Sequence, residues 1–141
     1  MRVLIADDDP VYQILLEDLL KQWGFDVVVT GDGSEAYQAI RQDKAIKLAI
    51  LDWMMPGTDG YAVCRLIKED QSRQNVYIIM LTGDRLKDDI VKVLVAGADD
   101  YLIKPFEPLD LKIRLHTARR ILDLQAEVAE LRQSAQKQPA Y

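Results

Sequence analysis

Apolar and polar positions along the chain alternate between two periods. Five short runs are apolar almost throughout: Arg2–Ala6, Phe25–Val29, Leu48–Leu51, Val76–Leu81 and Tyr101–Ile103. Runs of that length and character read as strands covered on both faces. Between them the pattern takes a helical period. Val11, Leu15, Leu16, Leu19, Leu20 and Trp23 give a first helix, opened by Asp9 as cap with Pro10 at its first position and closed by Gly24. Gly31-Asp32-Gly33 turns into a second helix, with Ser34 as its cap and Ala36, Ala39 and Ile40 inward. Met54–Gly60 holds Pro-Gly and Asp-Gly turn chemistry. A third helix, Tyr61–Lys68, puts Val63, Leu66 and Ile67 on one face. A fourth, Leu86–Ala96, turns Ile90, Val93 and Leu94 inward and stops at Gly97. Lys104-Pro105 breaks the fifth strand. From Leu109 a long last helix keeps its character to about Ser134, and the polar tail Ser134–Tyr141 is expected to fray.

Strict alternation of strand and helix predicts an α/β fold, a doubly wound (βα)5 parallel sheet of flavodoxin-like order 2-1-3-4-5 with right-handed crossovers. The 141 residues suit one domain with a short appendage. The division expected is 1–120 for the domain and 121–141 for a helical extension.

Composition narrows the setting. The net charge of −5 and pI near 4.9 argue against a broad nucleic-acid footprint, which wants a basic face. The single cysteine, Cys64, cannot form an internal disulfide and sits among the apolar residues of its helix, as a core residue would. No apolar run approaches a membrane span, and Asp7-Asp8-Asp9 cuts short the apolar start before it reaches signal-peptide length. The expected location is the cytoplasm.

In an open α/β sheet, ligands gather outside the carboxyl ends of the strands. Asp7, Asp8 and Asp9 follow the first strand, Asp52 ends the third, Thr82 the fourth and Lys104 the fifth. Strands one and three are neighbours in the expected order, so Asp7, Asp8 and Asp52 converge. Such a cluster either raises a pKa to hold a proton or takes a cation. A hard oxygen site of this kind suits Mg²⁺. Thr82 and Lys104 beside it complete a cradle for a phosphoryl group, and Asp52, the central acid, is the natural nucleophile for an aspartyl phosphate. Each residue alone has a plainer reading: Asp9 as helix cap, Thr82-Gly83 as a turn, Lys104-Pro105 as a strand terminator. Their coincidence along one sheet edge is what carries the chemical reading. An aspartyl-phosphate phosphohydrolase, a flavin or nucleotide carrier, and a dimerisation module with a vestigial acidic site are the alternatives. The hydrolase wants a second acid where Met54 stands, and the carrier wants a Gly- or Ser/Thr-rich loop where the acids stand.

These motifs resemble the receiver domain of bacterial two-component response regulators. The resemblance is carried by Val3-Leu4-Ile5-Ala6-Asp7-Asp8-Asp9-Pro10, Leu51-Asp52-Trp53-Met54-Met55-Pro56-Gly57-Thr58-Asp59-Gly60, Leu81-Thr82-Gly83 and Asp100-Tyr101-Leu102-Ile103-Lys104-Pro105-Phe106. It implies that Asp52 accepts a phosphoryl group from a sensor histidine kinase or phosphotransfer protein. It implies that Asp7, Asp8, Asp52 and the backbone carbonyl of Met54 hold Mg²⁺, that Thr82 is the switch hydroxyl and Tyr101 the switch aromatic, and that Lys104, expected in a cis bond to Pro105, pairs with the phosphate. Such a protein is a phosphoacceptor switch rather than an enzyme, read out on the face of the fourth helix, fifth strand and fifth helix. Ala6 and Trp53 depart from the usual residues without touching the chemistry, and Met54 and Asp84 occupy positions that tune dephosphorylation in this family. His116, the one histidine, lies on the last helix outside the acidic cluster, so the donor comes from outside the chain.

The last helix outruns the family pattern. Ile121, Leu124, Val128, Leu131 and Ala135 space as the seam of a coiled coil, with Ile and Val at a and Leu at d, a choice that favours parallel pairs. Glu127 at g and Arg132 at the following e can pair across chains. A parallel homodimer is expected, with a single amphipathic helix folded back on its own domain as the alternative. Receivers with such a continuous helix resemble those that feed an enzymatic output such as a diguanylate cyclase. No GGDEF-like motif, helix-turn-helix pattern or basic recognition helix is present, so the chain is either a stand-alone receiver or one that stops before its output domain.

Overall fold

The apolar runs become the strands β1 (Arg2–Ala6), β2 (Asp26–Thr30), β3 (Ile46–Asp52), β4 (Tyr77–Thr82) and β5 (Asp100–Ile103). The helices are α1 (Pro10–Gln22), α2 (Gly33–Gln42), α3 (Gly60–Glu69), α4 (Lys87–Val95) and α5 (Pro108–Lys137). The structure, a computed structural model, describes residues 1–83 and 87–137, and side chains for all of these except 87–89 and 137. Asp84, Leu86 and the tail 138–141 lie outside the described residues. All strand pairs are parallel, in the order β2-β1-β3-β4-β5, as the pattern predicts.

Strand side chains alternate between two cores. Val3, Ile5, Leu48, Ile50, Ile79 and Leu81 pack with Leu16 and Leu20 of α1 and with Leu111, Leu115, Ala118 and Leu122 of α5. Leu4, Ala6, Ala49, Leu51, Ile78 and Met80 pack on the other face with α2, α3 and Val93 of α4. Cys64 is buried in this second core, as expected, and burial pushes its thiol up to about 11. The helix boundaries follow local chemistry. Asp9 caps α1 by accepting from the Val11 amide at 2.9 Å, and Gly24 closes it with φ +87°. Gly97, at φ +99°, follows α4.

Several helical stripes are narrower than the periodicity implies. Val11 and Leu15 of α1, Leu66 of α3 and Leu94 of α4 are exposed, while Leu16, Leu20, Val63, Cys64, Ile67 and Val93 carry the packing. The apolar period marks a helix but does not separate adjacent stripes when a surface stripe is also apolar. The cap of α2 is Asp32, not Ser34. Its carboxylate accepts from the Glu35 amide at 2.8 Å while the Glu35 carboxylate accepts from the Gly31 amide at 3.0 Å. Residues 134–137 continue α5 rather than fraying.

Two cations tie loops that the apolar pattern leaves blank. Arg73, buried between α3 and β4, donates from Nε to the Ile40 carbonyl at 2.9 Å and from Nη2 to the carbonyls of Ile46 at 2.6 Å and Asp43 at 3.1 Å. It thereby satisfies the end of α2 and the start of β3. Lys68 Nζ donates to the Val76 carbonyl at 2.7 Å and to Asp99 Oδ2 at 3.0 Å. Among the described residues, no helix is long and apolar enough to cross a membrane.

Arg73→Ala strips buried carbonyls of their donors, and urea unfolding is expected to show a loss of about 2–4 kcal/mol, since each orphaned buried acceptor costs about 1–3 kcal/mol. The α/β circular dichroism spectrum should be retained.

Candidate functional site

The sheet register assembles the site. Ala6 stands opposite Leu51, Asp52 opposite Leu81, and Thr82 opposite Ile103. Consequently Asp7 and Asp52 stand level at the carboxyl edge, with Thr82 one residue and Lys104 two residues further along. The Asp7 amide closes on the Thr30 carbonyl at 3.3 Å, the Trp53 amide on the Leu81 carbonyl at 2.8 Å, and the Lys104 amide on the Thr82 carbonyl at 2.7 Å. Thr30, the corresponding residue of the edge strand β2, turns its hydroxyl onto the Ile5 carbonyl at 2.7 Å and stays out of the site.

Asp7, Asp8 and Asp52 do converge. Each offers a carboxylate oxygen within 4.8 Å of the others. Asp7 is wholly buried, Asp52 is 7% exposed and Asp8 faces solvent. The Lys104 ammonium donates to Asp7 Oδ2 at 2.8 Å and stands 3.4 Å from Asp52 Oδ1. Burial and the neighbouring charge of Asp7 push Asp52 up to about 6, against the opposing pull of Lys104. Burial tends to lower the lysine's own pKa, but the hydrogen bond to Asp7 and the charge of Asp52 outweigh it and hold Lys104 above its usual range. Thr82 is buried beside these groups. Lys104–Pro105 is cis, as expected.

Three carboxylates with one ammonium leave an excess of negative charge in a partly enclosed, oxygen-only pocket. That donor set fits a hard divalent cation keeping several waters, with Asp8 on the open side and Asp7 and Asp52 behind it. Met54, whose carbonyl the resemblance adds to the set, lies in the turn after β3 with its side chain exposed. Trp53 packs against Tyr61, ring centroids 5.8 Å apart. Tyr101 is half-buried on β5, lining a crevice with Phe106, Asp110 and Arg114, and Arg114 Nε donates to the Tyr101 carbonyl at 2.8 Å. His116 stands apart, in a crevice with Trp23, Phe25 and Arg119.

Some residues that build the site escape a reading by motif. Gln13 Nε2 donates to the Asp7 carbonyl at 2.6 Å, anchoring α1 to the end of β1. The Tyr12 ring covers the Lys104 ammonium, with Nζ 3.9 Å from its centroid. Gly60, at the start of α3, lies so close to the Asp52 carbonyl that a Cβ there would collide with it, and its amide donates to the Trp53 carbonyl at 2.9 Å. The Asp59-Gly60 turn signal is the only one of these visible beforehand.

Comparison with known proteins gives a consistent picture. The family described as response regulator receiver domain matches residues 3–116. The DNA-binding response regulator MtrA of Mycolicibacterium smegmatis is 41% identical over 131 residues, which are 92% of this chain and 56% of that protein. The chain thus spans about half the length of the curated relatives it matches. Among solved structures, the receiver domain of sensor histidine kinase PA1611 from Pseudomonas aeruginosa PAO1 has a magnesium ion coordinated in its active site cleft. It aligns with a TM-score of 0.76 at 32% identity, covering 82% of this chain and 94% of that one. A two-component system response regulator/GGDEF domain protein aligns with a TM-score of 0.81 at 28% identity, covering 87% of this chain and 50% of that one.

The raised pKa of Asp52 has a consequence for stability. The folded form holds the Asp52 proton up to about pH 6, whereas the unfolded chain releases it near 3.8. Between those values the folded state binds more protons, so its stability falls as pH rises through the window. Without divalent cation at pH 7, Asp52→Asn is expected to unfold at higher urea than wild type, by about 1–2 kcal/mol after discounting for solvent. At pH 4 the two proteins should coincide.

Proposed function

This chain belongs to the response regulator receiver domain family of two-component systems, and on that premise we propose that it is a Mg²⁺-dependent phosphoacceptor switch with Asp52 as the acceptor. The observation that carries the reading is the joint placement of Asp7, Asp8 and Asp52 within 4.8 Å of one another, with the Lys104 ammonium against two of them. With a pKa of about 6, Asp52 is mostly ionised at neutral pH and nucleophilic. One of its oxygens attacks the donor's phosphorus, the bond from phosphorus to the donor's leaving atom breaks, and the leaving group takes up a proton from solvent. Lys104 offsets charge on the transferred oxygens and the Thr82 hydroxyl donates to one of them. Asp7, Asp8, Asp52 and the Met54 carbonyl would hold Mg²⁺, which supplies further charge neutralisation to the phosphoryl oxygens. The donor is a sensor histidine kinase or phosphotransfer protein. A protein donor is supported by the exposed apolar side chains of Val11, Ile14 and Leu15 on α1, which starts directly after the acidic triplet. A phosphohydrolase is disfavoured because its second acid would fall at Met54.

Phosphorylation adds roughly −1.5 to −2 charges. Thr82 turns toward it and Tyr101 fills the space vacated, so the message leaves through α4, β5 and α5. The receiver occupies 1–120. The extension, 121–141, carries the exposed stripe Leu124 (56%), Val128 (45%) and Leu131 (64%). We read this stripe as the seam of a parallel homodimer. A parallel pair sets Glu127 against Arg132 of the second chain, whereas an antiparallel pair in the same seam sets Glu127 against its own copy. A continuation into an enzymatic output such as a GGDEF-type cyclase is supported by the likeness to a response regulator/GGDEF domain protein. The acidic balance supports a receiver without direct nucleic-acid contact, the DNA-binding function in the MtrA name being that protein's.

Incubation with radiolabelled acetyl phosphate and Mg²⁺ is expected to label wild type and leave Asp52→Ala and Mg²⁺-free samples unlabelled. Labelling of Asp52→Ala at the wild-type rate overturns the assignment. Light scattering should give twice the monomer mass for the full chain and the monomer mass for a form ending at Arg119. Equal association states would remove the seam from the account.

A further inference from the structure

We propose that Tyr12 is a positioning residue for the Lys104 ammonium, an inference that rests on the phosphoacceptor reading of Asp52. Lys104 Nζ lies 3.9 Å from the Tyr12 ring centroid, with Asp7 Oδ2 at 2.8 Å and Asp52 Oδ1 at 3.4 Å. The ammonium is therefore held between two carboxylates and one aromatic ring. The negative potential of a ring face attracts a cation, most strongly where water is thinned out, and the Lys104 side chain is only 14% exposed.

The ring is itself fixed. Tyr12 stands on the first turn of α1, whose cap Asp9 accepts from the Val11 amide and donates its own amide to Asp7 Oδ1 at 2.9 Å. The next residue, Gln13, grips the Asp7 carbonyl. The Tyr12 ring tilts at 43° against Phe106, centroids 6.0 Å apart, and Phe106 packs against the core shared by α1 and α5. Tyr12 thus joins the helix after β1 to the loop after β5 through Lys104 and Phe106.

An aromatic wall does something that a third carboxylate or an aliphatic wall would not. A lysine stem is flexible and its ammonium strongly hydrated. Another acid would hold the ammonium away from an incoming phosphoryl group, and an aliphatic side chain would let it swing toward solvent. The ring steers it without engaging it as a strong hydrogen-bond acceptor, so its N–H groups remain directed at Asp7, at Asp52 and at oxygens arriving on Asp52.

The test compares Tyr12→Phe and Tyr12→Leu in the full chain, with acetyl phosphate as donor so that no partner docking intervenes. Labelling rate is measured alongside Mg²⁺ affinity by calorimetry and thermal melting. Tyr12→Leu is expected to label about five- to tenfold more slowly, the range that a partly desolvated cation–π contact supports, with Mg²⁺ affinity within about twofold of wild type. Tyr12→Phe, which keeps the ring and loses only the hydroxyl, should label within about twofold of wild type. The proposal falls if Tyr12→Leu labels like wild type, if Tyr12→Phe is as slow as Tyr12→Leu, or if Mg²⁺ affinity drops in step with the rate. Absence of label on wild type itself would instead bring down the phosphoacceptor reading, and this inference with it.

Discussion

One ammonium group stands between this fold and the mutual repulsion of its own acids. The strand order makes β1 and β3 neighbours, and the register sets Ala6 opposite Leu51, so Asp7 and Asp52, the next residue on each, have to meet at the carboxyl edge. Both are buried, where an uncompensated pair of carboxylates is costly. Lys104 answers them from just after β5, an edge strand of the sheet, and reaches Asp7 as well as Asp52. The compensation is incomplete, since Asp52 is still pushed up to about 6. The site is thus folded around a charge excess that a divalent cation would relieve. Stability and chemical readiness oppose each other at the same atoms.

The architecture and the central residues of the site could be read from the sequence because they recur at one structural position. Asp7, Asp52, Thr82 and Lys104 each end or follow a strand, and the sheet edge collects them whatever the loops between do. What escaped lies in contacts that leave no periodic trace. Arg73 binds main-chain carbonyls, which every sequence offers equally. Tyr12 meets Lys104 across most of the chain's length, and Gln13 grips a backbone oxygen. The apolar period makes the stripes of α1, α3 and α4 too wide because Val11, Leu15, Leu66 and Leu94 are apolar yet exposed. Those residues belong to an exposed apolar surface that also includes Ile14, Met54, Val95 and Leu109.

Glycine plays a hidden part in the geometry. Gly60 brings the start of α3 against the Asp52 carbonyl, and Gly33 brings α2 equally close to the Thr58 carbonyl. In both places backbone packs on backbone with no room for a Cβ. The loop between β3 and α3 is therefore held by Gly60 against Asp52 and by Thr58 against Gly33 of α2. The end of β3 at Asp52 is thus packed by main chain rather than by adjustable side chains.

The last helix gives the fold a mechanical property that its sheet lacks. Its last core contact is Leu122, yet it runs to Lys137. At 1.5 Å per residue the overhang is about 22 Å. A rigid rod pivoting at Leu122 multiplies small motions: a tilt of about 5° at the body carries the tip through about 2 Å over that length. Arg114, two turns before the pivot, is hydrogen-bonded to the Tyr101 carbonyl, so the lever is already geared to the strand that carries the aromatic. A small tilt of α5 where it meets the sheet would thus reach Lys137 amplified.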